Sequence, residues 1–77
     1  MRTFAEIARE IRLTWTNMNA CAREYQRAMA CIYSTDKLAP YLFEDAQGIV
    51  LGFLNNAQGW RGDDARRIKA ELKSMIA

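Results

Sequence analysis

Ala46, Ile49, Val50, Phe53, Leu54 and Ala57 stand at i, i+3, i+4, i+7, i+8 and i+11. Only an α-helix gathers such a spacing into one apolar face. With Leu51 also apolar, the helix predicted over 45–58 is the central and most buried one. Glu44 and Asp45 lie at its start, where the helix dipole favours acids, and Gly59 supplies a left-handed stop. A second helix, 63–76, restarts almost at once. Asp63 and Asp64 open it, and Ala65, Ile68, Leu72, Met75 and Ile76 form its apolar stripe. Between the two lies Gly59-Trp60-Arg61-Gly62, a tight turn in which Gly62 relieves backbone strain.

The first half of the chain follows the same logic. Thr3-Phe4-Ala5-Glu6 matches a capping box, in which hydroxyl and carboxylate each satisfy an orphan N–H. Phe4, Ile7, Ala8, Ile11 and Trp15 then recur at helical spacing, which predicts a helix over 3–16. Asn17-Met18-Asn19 breaks it and offers an N-cap to a helix over 20–33. Met18 or Cys21, Ala22, Tyr25, Ala28, Met29 and Ile32 form the apolar face of that helix, with Arg23 and Arg27 opposite. Residues 34–44 have no period. Pro40 bars a through-going helix, and the segment reads as a loop with one turn whose Tyr41, Leu42 and Phe43 cover one end of the core. The expected architecture is all-α: one compact four-helix domain, 1–77, ending in a helix–tight turn–helix pair.

At 77 residues, such a domain buries only roughly 60–65% of the surface its unfolded chain exposes. The composition, 51% apolar and 26% charged, is globular. Net charge is +2, too small to imply a nucleic-acid partner, although basic ends flank an acidic middle of Asp36, Glu44 and Asp45. Cys21 and Cys31, ten residues apart in one predicted helix, would lie about 15 Å apart, beyond the about 7 Å a disulfide spans. Two unpaired thiols, expected buried or half-buried, fit a reducing compartment. The opening residues carry charge where a secretory signal carries an apolar run. Gly48 to Leu54, the longest uncharged apolar stretch, falls far short of the ~20 residues of a membrane span. A soluble cytoplasmic protein with no membrane partner is therefore expected.

Catalytic groups are scarce. There is no His, hence no His base, His-activated nucleophile or His metal ligand. Two Cys at helical spacing make no zinc site, and no glycine-rich phosphate loop occurs. Neither enzyme activity nor a cofactor or metal is expected. What remains is surface chemistry. Trp60 either plugs the end of the bundle or, with Arg61, forms an exposed tip, since Trp and Arg dominate interface hot spots. Arg66, Lys69 and Lys73 make a one-sided basic row about 10 Å long. The other charges of this helix are expected to pair as Asp63 with Arg67 and Arg67 with Glu71. Trp60, Arg61, Arg66, Lys69 and Lys73 are the candidate partner-binding surface.

The run Ile49-Val50, Phe53-Leu54, Asn56-Ala57, Trp60-Arg61-Gly62, Ala65-Arg66, Ile68-Lys69, Glu71-Leu72-Lys73 resembles a group of small, uncharacterised phage and prophage proteins. Ile7-Ala8, Glu10-Ile11 and the Tyr25…Ala28-Met29 stretch are similar too. The most specific part is an Asn-Ala-x-x-Trp-Arg-Gly-x-x-Ala-Arg signature. The resemblance implies a mobile-element origin and carries over no functional residues. The function expected is non-catalytic binding to a host protein, with inhibition of a bacterial defence system such as CRISPR as one form. The alternative is a small helix-turn-helix-like DNA-binding regulator; a third reading is a self-associating accessory protein.

Overall fold

A computed structural model describes all 77 residues. Four helices appear in the predicted order, α1 (Phe4–Thr14), α2 (Ala20–Met29), α3 (Ala46–Asn55) and α4 (Asp63–Met75). Between α2 and α3 lies an unpredicted antiparallel hairpin, β1 (Pro40–Tyr41) and β2 (Glu44–Asp45), with Pro40 opposite Asp45 and Tyr41 opposite Glu44. The fold is mostly helical rather than purely α. Each helix is shorter than predicted, and the hydrogen bonds say why.

The capping box forms: Glu6 N–H donates to Thr3 Oγ1 (3.1 Å) and Thr3 N–H to Glu6 Oε1 (2.8 Å). Other donors in that first turn need acceptors too. Phe4 N–H donates to the Ser34 carbonyl (3.0 Å) and Ala5 N–H to that of Ile32 (2.9 Å). To present those carbonyls the chain must leave helical geometry, and α2 stops at Met29 instead of running to Tyr33. At its other end, Asn19 accepts from Ala22 N–H (2.8 Å) and donates through Nδ2 to the Asn56 carbonyl (2.9 Å). One side chain thus caps α2 and ties it to the end of α3.

The hairpin serves the start of α3 in the same way. Ala46 N–H donates to the Ala39 carbonyl and Gln47 N–H to that of Lys37, each at 2.8 Å. Asp45 caps the helix by accepting from Gly48 N–H (2.9 Å). Glu44 and Asp45 are therefore a strand, and α3 begins one residue later than predicted. Pro40, which lacks an N–H, opens an edge strand, a position where none is needed. At the far end, Asn56 Nδ2 donates back to the Gly52 carbonyl (2.8 Å). Gly59 makes no left-handed stop. The glycine with positive φ is Gly62, at 109°, directly before α4, where a Cβ would be strained.

All four helices turn their predicted stripes to the core, with Phe4, Ile7, Ile11, Met29, Val50, Phe53, Ile68 and Leu72 at the centre and Tyr25, Ala28, Leu54 and Ile76 only partly buried. Leu51 departs from this and is partly exposed. Gln26 is the one buried polar side chain; its Nε2 donates to the Ala8 carbonyl (2.9 Å), joining α2 to α1. Helices α2 and α3 meet closely at Gly52, where a Cβ would fall 2.2 Å from Tyr25 Cε1. Cys21 and Cys31 are free and exposed rather than buried. No helix is long and apolar enough to cross a membrane.

Candidate functional site

The five residues singled out from the sequence do not act as one surface. Trp60 is core, only 5% exposed. Its indole stacks on Trp15 (centroids 5.2 Å apart, planes 4° from parallel), and Phe53 meets both rings edge-on at 6.1 and 6.2 Å. Lys69 is half-buried and committed to the same cluster. Its Nζ donates to the Trp60 carbonyl (2.7 Å) and lies 6.0 Å from the ring centroid, within cation–π range. Desolvation holds its pKa below the usual lysine value, with smaller contributions from Lys73 and Arg61. Arg66 is exposed and bonded to Asp63. Of the five, only Arg61 and Lys73 remain as exposed cations without an ion-pair partner.

Neither i,i+4 pair expected along α4 forms; i,i+3 pairs at its start and partners across the fold replace them. Arg67 bonds Glu10 of α1 (2.7 Å) and Asp64 (3.0 Å), while Glu71 pairs with Arg2. Arg2 also bonds Glu10 (2.7 Å), so Glu10 sits between two guanidiniums. They hold its carboxyl at about 2, Arg67 first and Arg2 second. A carboxylate with a depressed folded pKa stabilises the fold above its unfolded pKa and loses that contribution as pH falls. The window here runs from the ordinary value near 4.5 down to about 2. Glu10 is 28% exposed, so solvent screens the pair and the whole contribution is about 1 kcal/mol. Glu10→Gln is expected to lower urea stability by that amount at pH 7 and to flatten the acid limb between those values. An unchanged acid limb would show that other carboxylates govern it.

The feature that the sequence reading missed is the hairpin tip. Leu42 and Phe43 form the two-residue loop between β1 and β2, and neither covers the core. Leu42 is 81% exposed and Phe43 entirely so. Leu42 also holds φ at 55°, the one non-glycine residue in the left-handed region, where hairpin loops normally place Gly, Asn or Asp. The strain secures no packing within the chain. Leu42→Gly is expected to leave thermal stability unchanged or to raise it by up to about 1 kcal/mol, whereas loss of a packed leucine costs about 2–5 kcal/mol. Exposed Glu44 directly follows the tip, so the apolar pair is presented beside a carboxylate.

Comparison with known protein families, with curated proteins and with solved structures finds no match.

Proposed function

We propose that this chain is a small non-catalytic binding protein that inserts Leu42 and Phe43 into an apolar cleft, rimmed by basic residues, on a host protein. One observation carries the reading: a leucine held in a glycine-like backbone conformation, beside a fully solvated phenylalanine, with no intramolecular contact to account for either. Large apolar anchors on a fixed turn are what hot spots are made of, and the strain is stored where it would orient them. Exposed Glu44, directly after the tip, selects the sign of the rim. Arg61 and Lys73 offer a separate, charge-based contact. The resemblance of residues 49–73 to phage and prophage proteins supports a host protein as the partner. Inhibition of a bacterial defence system, CRISPR effectors included, is the form of activity to examine first.

The test is a pull-down with tagged protein from bacterial lysate, followed by titration of the recovered partner. Phe43→Ser is expected to weaken that titration at least tenfold with an unchanged Tm. Undiminished binding by Phe43→Ser, or the absence of any stoichiometric protein partner, would overturn the reading. DNA recognition has less support. Residues 56–62 separate α3 from α4, longer than a helix-turn-helix connection. Lys69 is turned onto Trp60, and exposed Asp63 and Asp64 occupy the helix start that would approach phosphates.

A further inference from the structure

A groove of about 470 Å³ opens between the end of α1 and one face of α2. Arg23, Gln26 and Arg27 line it from α2 at i, i+3 and i+4, and Arg12, Trp15 and Met18 close it from α1 and the following turn. Its volume lies in the range of small-molecule sites, roughly 300–1,000 Å³. Three guanidiniums line it with no carboxylate among its walls, and none of the three forms an ion pair.

The fold explains two of these charges and not the third. Arg12 and Arg27 stand in the last turns of their helices, where the dipole favours cations. Arg23 stands near the positive end of α2, whose first turn has no acid, and repels Arg27 four residues on. Its Nη2 turns back to the Met18 carbonyl (3.4 Å) at the groove wall. A bound anion would cancel both penalties at once. Guanidinium forks suit the oxygens of a phosphate group, which they grip two at a time. The remaining wall is mixed: Trp15 and Met18, both largely buried, supply its apolar part beside Thr16 and Gln26.

We infer that this groove binds a phosphate ester of mononucleotide size, its phosphates held by Arg12, Arg23 and Arg27 and its apolar body against Trp15 and Met18. The inference is independent of the hairpin tip. The test is titration of the intact protein with ATP at low salt, read by calorimetry and tryptophan fluorescence, with inorganic pyrophosphate and a 5′-phosphorylated oligonucleotide as parallel probes. Saturable 1:1 binding of ATP is expected, at least tenfold weaker in Arg23→Ala and in Arg27→Ala and unchanged in Arg9→Ala, an exposed cation outside the groove. Pyrophosphate should bind more weakly than ATP, having nothing to set against Trp15. Without ligand, Arg23→Ala should melt at or above the wild-type temperature, which separates lost binding from lost folding. No ATP binding at millimolar concentration, equal binding by Arg23→Ala, or binding of the oligonucleotide alone would overturn the inference.

Discussion

Trp60→Ala is expected to lower the unfolding free energy by about 4 kcal/mol, within the range for truncating a buried Trp. The ring is stacked on Trp15 and flanked by Phe53, so its loss leaves two aromatic partners facing a cavity. Lys69 would also lose the ring beneath its ammonium. A domain of 77 residues has a total stability of about 4–12 kcal/mol, so the variant sits at or near the limit of folding. A Tm fall of about 15 °C or more is expected, measured by circular dichroism. Trp60→Phe, which keeps a ring in place, should recover most of it. A fall under about 5 °C for the alanine variant would mean that the stack contributes little.

The second large effect is expected at Gly52. A Cβ there would lie 2.2 Å from Tyr25 Cε1 and 2.4 Å from Cζ, so the half-buried ring must leave its seat on α3. Gly52→Val is expected to cost about 2–3 kcal/mol, as overpacking does. Gly52→Ala should cost about 1 kcal/mol, because its better helix propensity offsets part of the displacement. A double-mutant cycle assigns the cause. In a Tyr25→Ala background the Gly52→Ala change should become neutral or stabilising. An equal cost in both backgrounds would remove the tyrosine ring from the explanation.

These two positions show where the sequence was legible. The apolar spacing of α3 and the capping box at Thr3 are local patterns, and both appear as read. Trp60 was ambiguous because its partner, Trp15, stands 45 residues earlier and no local rule joins them. The end of α2 was misplaced for a similar reason, since the donors that draw the chain out of the helix belong to α1. The hairpin left no trace: its strands are two residues each, too short for an alternating pattern, and Leu42 occupies a loop position whose usual marker is glycine. Of the two glycines around Trp60, Gly62 has the backbone freedom expected of it and Gly59 does not form the expected stop. At the candidate site, Arg61 and Lys73 were found as exposed cations. Arg66 and Lys69 were found only as residue types, because Asp63 and the Trp60 carbonyl hold their charged groups.

The bonds from Arg2 to Glu10 and Glu71 have a consequence in time as well as in energy. The bond to Glu71 joins positions 69 residues apart in sequence, and closing so large a loop costs chain entropy before the contact returns anything. Such a link forms after the helices have docked and contributes little to the folding barrier. Its weight is expected on the way out: loss of the Arg2 side chain should speed unfolding by about fivefold at most and leave the folding rate little changed.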